Sequence, residues 1–183
     1  MLIDLTTKAL PTTVDVGGRA FLIQTDYSYW IAFGKLAKDG CITYDVLKMF
    51  FIDEVPPITM IDSIVEAFIG FYTEASSTPR ASAEQLNENV TDYYEDGEYI
   101  YASFMSCYGI DLLETDMHWH KFKALVNCLR DSKYNDVIGY RSWRKNSQSY
   151  DDMMAKLKDI WSLEQILTDE EQRKIDEFNS LFD

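Results

Sequence analysis

The alternation of apolar and polar side chains near the start of the chain is typical of a β-hairpin. Val14 and Val16 are separated by one polar residue, and Gly17-Gly18 follows them directly. Glycine adopts the positive φ angles of a tight hairpin turn without strain, and a second apolar run begins after the pair. The sequence therefore predicts a hairpin over residues 12–24. Because an isolated hairpin is only marginally stable, we expect it to pack on the helices that follow.

Three helices are predicted after the hairpin. Asp26 (or Thr25) suits the N-cap of a helix over Tyr27–Lys38, and the apolar content of Tyr44–Phe51 predicts a short second helix. After the Pro-Pro pair at 56–57, apolar residues recur at the spacing of one helical face, which predicts a core helix. Its apolar positions are Ile61, Ile64, Val65, Phe68, Phe71 and Tyr72.

Residues 76–91 form a polar segment between the two halves of the chain. They include Ser, Thr, Pro, Asn and Glu and almost no large apolar side chain, which is typical of a flexible internal loop. A loop of this length is unusual in a compact domain, so it either divides two subdomains or serves as a working arm. The length of 183 residues nevertheless favours a single domain over residues 1–183.

The second half of the chain is predicted to be helical again. The spacing over 92–104 predicts one helix, which the Tyr-Gly pair at 108–109 ends, and Asp116 is predicted to cap the next. An apolar stripe at 153–161 predicts a further helix, and a capping box at 168–171 predicts a last one. The fold class predicted from these patterns is mainly α, a compact helical domain with a short N-terminal β-hairpin.

Charge limits the partners of this domain. The formal net charge is −14, from 31 acidic and 17 basic residues, while 46% of the residues are hydrophobic, which is enough for a packed core. A strongly negative surface repels nucleic-acid phosphates and anionic membranes and favours basic protein partners. We therefore expect binding to protein, with no nucleic acid and no membrane as partner.

The sequence contains no segment typical of export or membrane insertion. The N-terminus lacks the charged and apolar regions of a signal peptide. The longest apolar stretch, 58–72, is interrupted by Asp62 and Glu66 and is too short to cross a bilayer. Three widely spaced cysteines favour reduced, partly buried thiols in an intracellular protein. They are Cys41, Cys107 and Cys128.

The sequence lacks the common motifs of catalytic and nucleotide-binding sites. The motifs GxSxG, HExxH, GxxxxGK[ST] and GxGxxG do not occur. Two residues apart on a helix, His118 and His120 would point in opposite directions and could not share a metal; His118 is expected to be partly buried and His120 exposed. A Cys-His nucleophile pair stays open, because Cys107 or Cys128 could lie near His118. The prediction is a protein that is not an enzyme, with no metal and no cofactor.

The segment 92–116 combines carboxylates with tyrosines. It has seven acidic residues and no lysine or arginine, so its local charge is −7. The ligand pattern of an EF-hand is absent, which favours a surface for a basic helix or loop over a metal site. The alternative is that about half of its tyrosines belong to the core. The candidate protein-binding residues are Tyr94, Glu95, Asp96, Glu98, Tyr99, Tyr101, Asp111 and Trp119.

Three motifs in order carry a resemblance to a known family. They are EDGEYIYASF at 95–104, YGIDL at 108–112 and HWHKFKALVNCL at 118–129, with Tyr140-Arg141 after them. Together they resemble the bacteriophage gene-product-fifteen family of siphophage tail modules, over most of the chain. One position departs from the family pattern: His120 stands where a second tryptophan is frequent, and a polar ring there predicts a more exposed position.

The resemblance implies a mainly helical protein related to tail-assembly chaperones. Such proteins are encoded near the tape-measure gene, coat the tape-measure protein and recruit tail-tube subunits, and the family brings no catalytic residues. The resemblance thus predicts a chaperone in the host bacterial cytoplasm, with the tape-measure and tail-tube proteins as partners and a homo-oligomer as a further hypothesis. The alternatives are a structural minor tail protein of the virion and an acidic DNA mimic that inhibits a host protein.

Overall fold

A computed structural model describes residues 3, 5–7, 9–73, 90–144 and 152–163. Within these ranges, a two-stranded antiparallel sheet and seven α-helices surround one hydrophobic core. The predicted fold class, mainly α with a short N-terminal hairpin, is confirmed. All but the last two positions of the predicted loop at 76–91 lie outside the described residues, and so does the capping box at 168–171 with its helix.

The hairpin consists of β1 (Thr13–Val16) and β2 (Arg19–Leu22). Gly17 and Gly18 form the turn with φ angles of 63° and 83°, as the sequence predicts. The Asp15 carboxylate accepts a hydrogen bond from the Gly18 backbone N–H at 2.9 Å, which fixes the turn. The inward side chains of the strands are buried, so the hairpin is one wall of the core.

Helices α1 (Tyr27–Lys38) and α2 (Tyr44–Lys48) follow the hairpin. Asp26 caps α1 as predicted, because its carboxylate accepts a hydrogen bond from the Ser28 backbone N–H at 3.0 Å. Helix α2 ends earlier than predicted. Phe51 leaves the helix and pairs, as an antiparallel bridge, with the residue that follows β2.

Helix α3 (Ile61–Thr73) is the core helix of the first half, and a single 3₁₀ turn (Ile58–Met60) leads into it from the two prolines. Ile64, Phe68 and Phe71 are buried along one side of α3, which confirms the face that the apolar spacing predicts. The opposite side is exposed and carries the carboxylates of Asp62 and Glu66.

Four helices form the second half: α4 (Gly97–Tyr108), α5 (Trp119–Asn127), α6 (Lys133–Ser142) and α7 (Asp152–Trp161). Gly109, with a φ angle of 65°, ends α4 as predicted. Helix α6 has no counterpart among the predicted helices. It contacts both α4 and α7, so it connects these two helices.

The start of α5 corrects the prediction of an Asp116 cap. His118 is the N-cap, in an extended conformation with φ −61° and ψ 137°, and its Nδ1 accepts a hydrogen bond from the His120 backbone N–H at 3.1 Å. An imidazole nitrogen thus replaces the usual carboxylate or hydroxyl acceptor at a helix start.

A short backbone bridge joins the start of α1 to the start of α5. The Tyr27 N–H donates to the Met117 carbonyl at 2.9 Å, and the Trp119 N–H donates to the Thr25 carbonyl at 2.7 Å. The Asp26 carboxylate also accepts a hydrogen bond from the Met117 N–H at 3.0 Å. The two halves of the chain therefore complete each other's helix starts.

The core is rich in aromatic side chains, and Trp30 of α1 is fully buried among them. Its ring lies 4.4–5.6 Å, centroid to centroid, from four phenylalanine rings that come from α1, the 50–51 segment and α3. In the second half, Tyr27 stacks on Phe122 at 4.7 Å, which carries the same core from α1 to α5. The four phenylalanines around Trp30 are Phe33, Phe50, Phe68 and Phe71.

Candidate partner-binding surface

A turn before α4 positions the first of the predicted surface residues. The Asp92 carboxylate accepts hydrogen bonds from the backbone N–H groups of Tyr94 and Glu95 at 3.0 and 3.1 Å, and it pairs with Lys38 Nζ at 2.8 Å. Burial raises the pKa of Asp92, but these bonds outweigh burial and hold the pKa below its ordinary value. The helix predicted from residue 92 therefore starts only after this turn.

Six of the eight predicted binding residues lie at the surface, on this turn, on α4 and in the loop after it. Tyr94 is 55% exposed and its ring centre lies 4.8 Å from Lys35 Nζ. Glu95 and Glu98 are exposed, and the other three are partly exposed. We call these six residues the α4 face. They are Tyr94, Glu95, Glu98, Tyr99, Tyr101 and Asp111.

The exposed side of α4 continues into the loop that follows it. Tyr101 donates a hydrogen bond from its hydroxyl to the Asp111 carboxylate at 3.5 Å. Partial burial and the negative charge of Asp111 raise the pKa of Tyr101, so the hydroxyl stays protonated. Met105, one helical turn after Tyr101, is 43% exposed, and Leu113 in the loop is 83% exposed. Exposed apolar side chains and carboxylates thus occur together on α4 and the loop after it.

Asp96 is a correction to the predicted surface, because its side chain lies fully inside the domain. Arg141 of α6 donates two hydrogen bonds to the Asp96 carboxylate, at 2.7 and 2.8 Å. The same guanidinium donates to the carbonyls of Trp161 at 2.6 Å and Val90 at 3.2 Å. The pair therefore holds α4, α6 and the end of α7 together, and the Asp96 carboxylate is not available at the surface.

Trp119 is the second correction, since its side chain is also fully buried. Its ring stacks on Tyr72 at 5.0 Å and on Phe122 at 5.8 Å, and its Nε1–H donates to the Tyr72 carbonyl at 3.2 Å. Trp119 thereby satisfies a carbonyl at the C-terminal end of α3, which has no partner within that helix. Its role is to join α5 to α3.

The tyrosines of the segment divide between core and surface. Tyr93 is mostly buried, and burial raises its pKa to about 12. Tyr99, Tyr101 and Tyr108 are half-buried and pack against the core, whereas Tyr94 is exposed. Four of these five tyrosines thus contribute to packing, whereas the alternative drawn from the sequence places about half of them in the core.

His118 is partly buried, as predicted, but the burial of His120 and the relative orientation of the two rings differ from the prediction. Because His118 precedes the helix, the two rings do not point apart, and their centres lie 5.2 Å from each other. His120 is predicted to be exposed, but only 3% of its surface is accessible, and its ring bonds to the Phe71 carbonyl at 3.0 Å. The ring of His118 bonds to the Pro11 carbonyl at 2.8 Å. A carbonyl only accepts, so Nε2–H is the donor in both rings.

Lys123 completes this contact between α5 and α3. It is 6% exposed, its Nζ donates to the Tyr72 carbonyl at 2.8 Å, and burial lowers its pKa to about 8. Trp119, His120 and Lys123 fall on one side of α5 and all bond to the last carbonyls of α3. Donors at the negative end of a helix dipole stabilise that end.

The cysteines also differ from the prediction, since all three are exposed rather than partly buried. Cys107 Sγ lies 3.5 Å from the Arg130 carbonyl, whereas the His118 ring is held by Pro11 and by the start of α5. In the part of the chain that the structure describes, no group of three or more His, Cys, Asp or Glu side chains is arranged to hold a metal ion.

Comparison with known proteins identifies the family. A family model described as Bacteriophage Gp15 protein matches residues 6–163. The chain belongs to this bacteriophage Gp15 family. The resemblance carried by the three sequence motifs is confirmed, and the motifs lie on α4, the loop after it and α5. Membership makes the chain a bacteriophage protein and indicates a structural or assembly role. No curated protein and no solved structure matches it.

Two general findings apply to this Gp15-family protein. Among its described helices, none combines the length and the apolar character that crossing a membrane requires. Exposed carboxylates occur over much of its described surface, but the sequence between residues 92 and 116 contains no lysine or arginine beside the exposed Glu95, Glu98, Glu114 and Asp116.

The buried histidines predict a pH dependence of stability in the Gp15-family protein. Burial lowers the pKa of both His118 and His120 below 6.5, although their bonds to carbonyls act in the opposite direction. As the pH falls below about 6.5, the unfolded chain takes up these protons before the folded chain does, so the free energy of unfolding decreases. Thermal unfolding at pH 7.5 and pH 5.5 should show a Tm lower by a few degrees at the acidic pH.

A matched variant tests the origin of this dependence. His118→Asn keeps an N-cap acceptor, and His120→Gln keeps a donor for the Phe71 carbonyl, while neither new side chain titrates. The double variant should therefore have a flatter dependence of Tm on pH between 5.5 and 7.5. An unchanged slope would assign the effect to other groups.

Proposed function

We propose that this Gp15-family protein is a non-enzymatic tail-assembly chaperone that binds the tape-measure protein and recruits tail-tube subunits. The observation that carries the proposal is the α4 face. There, exposed carboxylates lie beside exposed aromatic and apolar side chains on a structured helix and its adjoining turn and loop. Such a surface provides both charge and buried area for a partner protein.

The chemistry of the α4 face defines the class of partner. Glu95 and Glu98 attract basic residues and orient them before contact. Tyr94, together with Met105 and Leu113 beside the α4 face, provides apolar area that a partner can cover. A helix with basic and apolar residues fits this combination. The resemblance to tail-module proteins supports the tape-measure protein as the source of that helix, and the family match supports an assembly role.

The interior polar groups support binding rather than catalysis. Asp96 is engaged by Arg141, and His120 and Lys123 are engaged by backbone carbonyls of α3. Each of these groups has a partner that explains its burial by structural stabilisation. A function through surface contact therefore agrees best with where the polar groups of the described residues lie.

Co-expression with the tape-measure protein of the same phage tests the proposal. The wild-type chain should raise the solubility of that protein and co-purify with it. The variant Glu95→Lys/Glu98→Lys should weaken the complex by at least about tenfold, because like charges then face the basic partner. Raising the salt concentration should weaken the wild-type complex and reduce the difference between the two proteins.

Helix α3 provides the matched control. Asp62 and Glu66 are also exposed and lie one helical turn apart, so Asp62→Lys/Glu66→Lys makes the same change in net charge on another surface. This control should change the affinity by less than about twofold. Equal effects of the two variants would contradict the α4 face as the binding surface, and failure to recover any complex would contradict the chaperone function. Stoichiometric recovery of the chain from purified virions would favour a structural minor tail protein instead.

A further inference from the structure

Helix α7 is attached to the domain in an unusual way. None of its side chains is buried, whereas each of the other six described helices buries at least one. Met153 and Ile160 are 69% and 72% exposed, although the helix has a clear apolar stripe. Burial of apolar surface is the main contribution to folding stability, so α7, whose apolar residues are at most half-buried, gains less from burial than the helices that carry fully buried side chains.

Helix α7 is held through Lys158, whose Nζ donates to the Trp143 carbonyl at 3.1 Å, and through several contacts of its last residue, Trp161. Its ring packs edge to face on Tyr99 of α4 with centroids 5.4 Å apart, and Lys133 Nζ of α6 lies 4.7 Å from its ring centre. The ring centroid of Tyr140 lies 6.3 Å from that of Trp161, and Arg141 Nε donates to the Trp161 carbonyl at 2.6 Å. We call the set Tyr99, Lys133, Tyr140 and Arg141 the acceptor groove.

The acceptor groove has the chemistry of a receptor for a helix end. A guanidinium that bonds a C-terminal carbonyl and a cation above an indole ring both favour a helix that ends in an aromatic residue. A cleft of about 260 Å³ remains beside Trp161, between Glu95, Tyr99 and Arg141, so α7 fills the region only partly. The groove therefore recognises the end of α7 rather than its whole length.

We propose that the acceptor groove takes α7 from a second copy of the chain, so that neighbouring copies join by exchanging this helix. A groove that fits α7 within one chain fits the identical helix of another copy, and the exchange requires no new type of contact. No side chain of α7 is fully buried, and the half-buried apolar side chains that its release exposes, Met154, Leu157 and Trp161, are covered again in the groove of the second copy.

The concentration of the protein determines whether α7 occupies the groove of its own chain or that of a second copy. Residues 143–151 connect α6 to α7, and a short connection keeps α7 at an effective concentration on the order of 1 mM near its own groove. Exchange should therefore be rare in dilute solution and frequent when copies lie side by side. Alignment of copies along one long partner would bring them side by side. This alignment rests on the proposed function, whereas the groove itself does not.

Self-association of the full chain tests the exchange. By sedimentation, the wild-type protein should be monomeric at about 10 μM and should form dimers or larger species at about 1 mM. Trp161→Ala removes the ring that the groove holds and should stay monomeric at both concentrations. Ile160→Ala, a change at the exposed neighbouring residue, should associate like the wild type. A monomeric wild type at about 1 mM, or association that persists in Trp161→Ala, would overturn the proposal.

A peptide provides a second and independent measurement. A labelled peptide of residues 152–163 should bind the full-length Trp161→Ala chain with a Kd on the order of 0.1 mM, and at least about tenfold more weakly to the wild type, whose groove is occupied. The same peptide with Trp161→Ala should not bind. If Trp161→Ala does not fold, Lys133→Gln weakens the groove from the side of α6 and should reduce self-association.

The outcomes separate this proposal from the proposed function. Absence of peptide binding, or loss of association in Ile160→Ala, would assign self-association to an exposed apolar contact and contradict helix exchange. Neither measurement uses the tape-measure protein, so a failure here leaves the chaperone proposal intact. Failure of the co-expression experiment, in turn, leaves the acceptor groove unaffected.

Discussion

Replacing Asp96 with alanine should lower the free energy of unfolding by about 3–5 kcal/mol. The substitution leaves the Arg141 guanidinium buried, with only 7% of its residue surface exposed, and without the carboxylate that receives two of its hydrogen bonds. An uncompensated charge in the interior costs more than the ion pair contributes, because the unfolded state hydrates that charge fully. Urea unfolding at pH 7 measures the loss directly.

Two variants serve as controls for Asp96→Ala. Glu95→Ala changes the neighbouring, exposed carboxylate and should cost within about 0.5 kcal/mol. Asp96→Leu/Arg141→Met removes both charges together and should be less destabilised than Asp96→Ala alone. A loss below about 1 kcal/mol in Asp96→Ala would show that water reaches Arg141 in solution, contrary to the buried pair.

Replacing Trp30 with alanine should destabilise the protein by a similar amount, about 3–5 kcal/mol, through a different mechanism. Trp30 is fully buried among four phenylalanine rings, so alanine leaves a cavity in the most aromatic part of the core. It also removes the Nε1–H that donates to the Gln24 carbonyl at 2.8 Å. For a chain of this size the Tm should fall by roughly 6–20 °C.

The adjacent aromatic residue is the control for Trp30→Ala. Tyr29 is 38% exposed and touches the same cluster through Phe50, with ring centres 5.9 Å apart. Tyr29→Ala should therefore cost about 1 kcal/mol or less. Equal losses in the two variants would contradict the placement of Trp30 at the centre of the core.

The elements that could be predicted from the sequence are those whose signals are local. The Gly17-Gly18 turn, the Asp26 cap and the apolar spacing of Ile64, Phe68 and Phe71 each lie within one element, and the structure confirms all of them. Helix α6 lacks a comparable signal. Its short stripe of Tyr134, Val137 and Arg141 includes a charged residue at a core position.

The errors at the candidate surface have a common physical cause. Asp96 reads as a surface carboxylate until Arg141, 45 residues further along, is placed against it. Trp119 and His120 read as surface rings until the carbonyls at the end of α3 are placed beside them. Whether a polar or aromatic residue of a helix is exposed depends on which element packs there, and local spacing carries no information on distant partners.

The burial of Lys123 and Arg141, which is not among the sequence predictions, also depends on distant partners. Lys123 and Arg141 are cations that bond to carbonyls or carboxylates far away in the chain. One local signal was available for Lys123, since it follows Trp119 at a spacing of four and shares its helical face. For Arg141, the apolar residues one turn earlier would indicate that its stem enters the core.

The backbone bridge between the starts of α1 and α5 has a consequence for how the protein is made. During translation, Thr25 and Tyr27 leave the ribosome long before Met117 and Trp119, which supply their hydrogen-bond partners. Until α5 is synthesised, the first half lacks both these bonds and the donors that α5 provides to the end of α3. We therefore expect the nascent chain to keep its aromatic residues accessible to host factors over most of its synthesis and to fold cooperatively once the motif at 118–129 has emerged.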